Sequence, residues 1–245
     1  MKLFLSIFAA ILMFLPVYSQ DDEAEEIIAK IVANHAKDVD IDKITSWRVE
    51  GTMMVPMMQI EASMDMMFKK PNKYRSERTI NSTLQKYIAT YNGNEGWSYN
   101  QMKGDKAPEK MDNEEVAKFI ENDILKSDFD NYKEKGTKII YLTDDQVDDV
   151  DVYKLKVIEK DDEKIIYVDP KENVVIKSDV MLDLGAPQKI PGEVFLKNYS
   201  RENGIMVPHA VEVHVQGQTF QIMIYEKFEF NIDLDDSLFE KPKVD

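Results

Sequence analysis

From Met58 to Phe68 apolar and polar residues alternate along the chain. Met58, Ile60, Ala62, Met64, Met66 and Phe68 fall on one side, and Gln59, Glu61, Ser63, Asp65 and Lys69 on the other. A period of two over this length commits the segment to a β-strand with one buried face, because successive side chains leave a pleated strand on opposite sides. Met67 is the one residue out of phase. The preceding stretch repeats the pattern with Trp47, Val49, Gly51, Met53 and Val55, so the two segments make a hairpin. The hairpin has an unusual composition: seven of the fourteen methionines lie between Met53 and Met67. Val, Ile and Leu would build a stiffer sheet core. Methionine is unbranched and polarizable, and it adapts to more than one partner shape. Two readings fit: the wall of a lipid or acyl-chain cavity, and a closed core that is merely rich in methionine.

The N-terminus predicts a compartment. Met1-Lys2 is followed by an apolar run from Leu3 to Val17 and then by Val17-Tyr18-Ser19 before Gln20-Asp21-Asp22. This is the order of a secretory signal peptide, cleaved after Ser19. The run of about fifteen residues is short for a membrane span, which needs about twenty. Residues 20–245 then form a single soluble domain. There is no cysteine, so neither a lipid-anchoring cysteine at the cleavage site nor a disulfide framework is available. A chain of this length can build a sufficient core without one. A bacterial periplasm is the expected location.

Charge narrows the partners. Lys and Arg number 31 against 46 Asp and Glu, a formal charge of −15. Loss of Lys2 with the leader makes it one unit more negative. Nucleic acid is excluded, because phosphate binding needs clustered cations, and adhesion to anionic lipid surfaces is disfavoured.

The remaining pattern is sheet-rich. Asp22 to about Lys37 reads as a helix with Ile27, Ile28, Ile31 and Val32 as its stripe. Asp112-Asn113-Glu114-Glu115 predicts the cap and acidic first turn of a second helix running to about Leu125. Strands fill most of the rest, with turns at Pro71-Asn72, Asn92-Gly93, Asp169-Pro170 and Asn203-Gly204. The pattern predicts a mainly β (α+β) fold: a half-open antiparallel β-barrel of about ten to eleven strands, with helices covering the concave face.

Motifs for chemistry are absent. Asp38-Val39-Asp40-Ile41-Asp42 spaces carboxylates like the start of a calcium loop, but Lys43 stands where the turn glycine belongs and Val49 where the final glutamate belongs. The run Asp144 to Asp151 reads as a solvated hairpin turn. His35, His209 and His214 have no metal-ligand spacing. No nucleophile elbow, Walker A or dinucleotide fingerprint occurs. The chain is not expected to be an enzyme, and no cofactor or metal is expected.

Phe68-Lys69-Lys70-Pro71-Asn72-Lys73-Tyr74-Arg75, followed by Tyr91-Asn92-Gly93-Asn94-Glu95-Gly96-Trp97-Ser98-Tyr99-Asn100, resembles the front half of the LolA/LolB-type lipoprotein-sorting proteins. The end is similar too, with Gly204-Ile205-Met206-Val207-Pro208 opening a strand and Asn231 to Pro242 closing the domain. The resemblance covers nearly the whole chain after the leader. It implies a monomeric periplasmic carrier that takes acyl chains of lipoproteins, or another lipid, into an apolar cavity. The implied partners are an inner-membrane ATP-driven transporter and an outer-membrane acceptor. The missing lipid-anchor cysteine favours the soluble, LolA-like role. In that family an arginine before the turn proline bonds to lid carbonyls, and here the lid contact falls to Lys70, a point donor without the planar fork of arginine. The expected lipid-binding residues are Trp47, Val49, Met53, Met58, Ile60, Ala62, Met64, Met66 and Phe68, with Phe220, Ile222, Ile224, Phe228 and Phe230 from the last strands. Met54 and Met67 are expected to point away. A three-chain anchor of ~45 methylenes, at ~0.8 kcal/mol each, costs about 36 kcal/mol to extract from a membrane. The carrier must return most of that by burial. An envelope lipid sensor or stress regulator of the same fold is the alternative.

Overall fold

The computed structural model describes residues 20–120, 125, 127, 129, 131–160, 162–184 and 188–244. The expected leader, residues 1–19, lies outside these. So does the stretch 121–124, into which the second helix was expected to run.

The chain builds two antiparallel meanders. The first is β1 (Ser46–Val55), β2 (Ile60–Lys69), β3 (Lys73–Ile80), β4 (Lys86–Tyr91), β5 (Gly96–Asn100) and β6 (Glu109–Lys110). The second is β7 (Lys138–Val147), β8 (Val150–Glu159), β9 (Asp162–Asp169), β10 (Val174–Leu182), β11 (Ile190–Glu202), β12 (Ile205–Val215) and β13 (Gln218–Phe230). They join where β13 pairs with β1, giving one thirteen-stranded sheet in the order β6-β5-β4-β3-β2-β1-β13-β12-β11-β10-β9-β8-β7. The sheet does not close, which agrees with the expected half-open barrel. The strand count exceeds the expected ten to eleven. One addition is β6, whose two residues are too few for any periodic signal.

The free edges, β6 and β7, are neighbours in sequence. The chain linking them, residues 111–137, must therefore pass from one rim of the sheet to the other. It carries α2 (Asn113–Ile120), which starts as expected. Asp112 Oδ1 accepts from the backbone N–H of Glu114 and Glu115, both at 2.9 Å, while its own N–H donates to Glu115 Oε2 at 2.8 Å. That reciprocal box satisfies donors a helix start leaves unpaired.

The first helix, α1 (Gln20–His35), lays Ala24, Ile27, Ile28 and Ile31 on the concave face of the second meander. There they pack with Ile139, Leu155, Val157, Ile166 and Val168. A second cluster gathers Trp47, Val49, Phe68, Tyr74, Ile205 and Val207, with Phe119 and Ile120 of α2 packed against it. Each helix thus covers part of the inner face.

Met67 is buried on the convex side. It packs with Leu234 and Phe239 from the C-terminal segment, which crosses the back of the first meander. Ser46 Oγ donates to the Ile232 carbonyl at 2.6 Å, Arg75 to the Leu238 carbonyl at 2.9 Å and Thr90 Oγ1 to the Glu240 carbonyl at 3.1 Å. An apolar residue at an outward position is explained by the strap that covers it.

Candidate functional site

Register fixes which side chains enter the concavity. Trp47, Val49, Gly51 and Met53 pair with Phe68, Met66, Met64 and Ala62, and these in turn face Tyr74, Ser76, Arg78 and Ile80 of β3. Ala89 and Tyr87 of β4 continue the row opposite Ser76 and Arg78, and Ser98 and Asn100 of β5 follow. On the other side of β1, Phe230, Phe228, Tyr225 and Met223 face the same way.

These rows enclose a cavity of about 850 Å³. Met66, Met223, Phe228 and Val211 form its floor, Val180, Val194 and Leu196 one wall, and Ser76, Arg78, Tyr87 and Asn100 the other. Ile31 of α1 and Phe119 of α2 lie over it. At the rim stand Lys103, Asp105, Glu109, Glu115 and Lys118. Lys118 bonds to Asp183 just beyond β10 at 2.9 Å, tying α2 across the mouth. Both partners are substantially exposed, so this tie is a weak one. Two rim carboxylates are engaged locally: Asp105 accepts from the Asn100 N–H at 2.7 Å, and Glu115 completes the α2 cap.

The cavity was expected to be apolar, and its floor is. One wall is not. Burial pushes the Tyr87 phenol above its ordinary range; Arg78 opposes the shift and Glu115 adds to it. Burial raises Tyr225 likewise, again against Arg78. Both rings are neutral at ordinary pH, where their hydroxyls can donate.

Of the residues expected to line the site, Trp47, Met66 and Phe228 border the cavity. Val49, Phe68 and Phe230 share its face and pack into the cluster around Trp47. Met53, Ala62 and Ile60 form a separate cluster with Ile80. Met64, 2% exposed, is buried between Gly51 and Arg78. Met58 is placed differently: it lies in a 3₁₀ turn, 65% exposed, because Pro56 ends the first strand and Gln59 takes a left-handed conformation. Ile222 and Ile224 also differ. They sit opposite Met54 and Thr52, on the convex face. A bulge at Glu226 shifts the phase of β13, and a second between Val213 and His214 leaves Phe220 outside the ladder. Gly51 accommodates the first bulge: a Cβ there would lie 2.0 Å from the Ile224 carbonyl oxygen.

Lys70 Nζ bonds to one backbone carbonyl, that of Asp42, in the loop between α1 and β1. A single-carbonyl contact is what a point donor can make. The sequence reading missed Tyr225, Met223, Val211, Leu196 and Arg78. Glu226, a charge at a position that strict alternation would turn inward, was the signal of the phase shift.

Comparison with solved structures places this architecture. A DUF1329 family protein from Desulfovibrio piger superposes with a TM-score of 0.57 at 13% identity, over 91% of this chain and 98% of that one. A domain described as an outer membrane lipoprotein-sorting protein, from Vibrio parahaemolyticus, gives 0.57 at 12% identity, over 89% and 97%. A LolA superfamily protein from Nitrosomonas europaea gives 0.50 at 15% identity, over 89% and 97%. The fold is LolA-like. No protein-family model matches the chain, and no curated protein matches it. At these identities the LolA-like likeness is one of architecture, and function must be argued from the cavity. Among the described residues no helix is long and apolar enough to cross a membrane.

Proposed function

We propose that this protein is a periplasmic carrier, exported by cleavage of residues 1–19, that holds acyl chains of lipoproteins or of another lipid in the cavity and moves them toward the outer membrane without chemistry of its own. The observation that carries this reading is the cavity floor of Met66, Met223, Phe228 and Val211 inside an unclosed sheet. An apolar concavity of this size, bounded by a few polar groups, is the usual form of a small-molecule site.

Volume limits the load. At about a water's share of space per carbon, ~30 Å³, a sixteen-carbon chain occupies roughly 480 Å³. One chain fits the 850 Å³ cavity with room to spare, whereas three would need ~1,400 Å³. A three-chain anchor would require the α2 strap to lift from the rim. The partners that deliver and accept cargo would be an inner-membrane ATP-driven transporter and an outer-membrane acceptor, which would supply the energy this chain has no nucleotide motif to supply.

Native mass spectrometry of the protein purified from a periplasm should find lipid or lipopeptide adducts, and acyl probes such as methyl palmitate and palmitate should bind the delipidated protein. Absence of adducts together with failure of every acyl probe would end the carrier reading.

A further inference from the structure

Strand β3 delivers Arg78 into the cavity, beside the buried Met64 and across from Tyr87. The four arginines of this chain fare differently. Arg48 pairs with Asp65 and Glu50, Arg75 with Glu77, and Arg201 bonds to the Gly204 carbonyl and to Asn34. Arg78 has neither an ion pair nor a hydrogen bond among the described residues, and its Nε is buried without a partner. Its one favourable contact is the Tyr87 ring, 5.7 Å from the guanidinium carbon. Among the described residues Arg78 is thus the arginine with neither a carboxylate nor a hydrogen-bond acceptor, and the register of β3 turns it toward the cavity.

A second observation lies one pleat away. Ser76 projects from the same face of β3 into the same cavity, is 7% exposed, and its Oγ also lacks a partner among the described residues. Buried polar groups are nearly always satisfied, so two orphans on adjacent inward positions ask for an acceptor between them. A guanidinium offers a planar fork of donors matched to two oxygens of a carboxylate or phosphate. Beside this polar spot the floor is Met66 and Met223, which no small polar anion would fill.

We infer that the cavity takes an anionic amphiphile, its carboxylate or phosphate head on Arg78 with Ser76 assisting, and its acyl chain along the methionine floor. This rests on the acyl-carrier reading and adds the chemistry of the head. It makes the cargo an acid rather than a neutral lipid, with the charged end held inside the cavity instead of left at the mouth.

The test is calorimetric titration of delipidated wild-type protein with palmitate, methyl palmitate and palmitoyl lysophosphatidate below their micellar concentrations. Wild type should bind the better of the two acids at least tenfold more tightly than the ester. Arg78→Met should bind acid and ester alike, and Ser76→Ala should lose a few-fold for the acid alone. Because Arg78 gives up only its contact with the Tyr87 ring, Arg78→Met should melt close to wild type, and Arg78→Gln provides a second, polar variant. Preference for palmitate names a fatty acid as the source of the head, and preference for lysophosphatidate names a phospholipid; either supports the assignment. Equal binding of acids and ester by wild type overturns it, as does undiminished acid binding by the arginine variants. If the ester and both acids all fail to bind wild type, it is the carrier reading that falls.

Discussion

Ile31 and Leu155 belong to the same apolar cluster beneath α1, yet their truncation should cost different amounts. Leu155 is 0% exposed and enclosed on all sides by strand and helix. Ile31 is nearly as buried, at 6%, but one flank borders the cavity. Each change to alanine removes three carbons, a transfer loss of ~2.4 kcal/mol at ~0.8 per methylene. For Leu155→Ala a new void adds to this, and the total should reach about 4 kcal/mol. For Ile31→Ala the space created merges with space already present, and the carbons lost had contacts on one side only. We expect about 2 kcal/mol or less there. Urea unfolding followed by far-ultraviolet circular dichroism would measure both, with unchanged slopes required for the comparison. At ~2–4 °C per kcal/mol for a chain of this size, melting points should fall by roughly 8–16 °C and 4–8 °C respectively. Equal costs for the two variants would mean that no open space adjoins Ile31, and the cavity geometry would be wrong.

Gly51→Ala should destabilise by at least ~2 kcal/mol, because the atom its Cβ meets is the Ile224 carbonyl oxygen rather than a side chain that can turn away; denaturant midpoints would settle it, and a cost below ~0.5 kcal/mol would refute the bulge as described. Asp236 is held at a pKa of about 2 by hydrogen bonds from Lys69 and Lys73. Since the folded value lies below the unfolded one, its contribution is present above pH ~4 and is lost as pH falls toward about 2. Asp236→Asn should therefore flatten the acid limb of the stability profile and leave the neutral region's slope unchanged. Trp47 borders the cavity, whereas Trp97 pairs with Thr90 on the convex side. A brominated acyl chain should accordingly quench Trp97→Phe strongly and Trp47→Phe weakly, and the reverse order would place the ligand outside the cavity.

Much of the fold could be read from period-two alternation, because a strand with one buried face must alternate. Trp47 to Val55 and Ile60 to Phe68 alternate between faces as expected for that reason, and Met58 departs because the turn at Pro56 interrupts the alternation. Failures cluster where alternation is interrupted. The bulges in β13 reverse its phase, so Ile222 and Ile224 move outward while Tyr225 and Met223 move inward. Met67 looked like an error in the pattern because its cover comes from Leu234 and Phe239, far away in sequence. The site was harder to read than the fold. Arg78 sits in Arg75-Ser76-Glu77-Arg78, which reads as an ordinary charged strand; only the pairing with Met64 and the lack of a carboxylate single it out.

The join between β1 and β13 has a consequence for how the chain reaches its native state. Every other strand pairs with a sequence neighbour, so each meander can zip through short hairpins. The central ladder instead joins positions about 170 residues apart, and closing that loop costs roughly 4.5 kcal/mol in chain entropy against about 1.2 for a four-residue hairpin. Such non-local pairing forms slowly. The middle of the finished sheet should thus be the last part to form, and until the C-terminal strand arrives β1, which carries Met53 and Met54, is a bare edge. If the chain is exported as proposed, it would present that edge throughout its passage and would need it shielded until synthesis and export are complete.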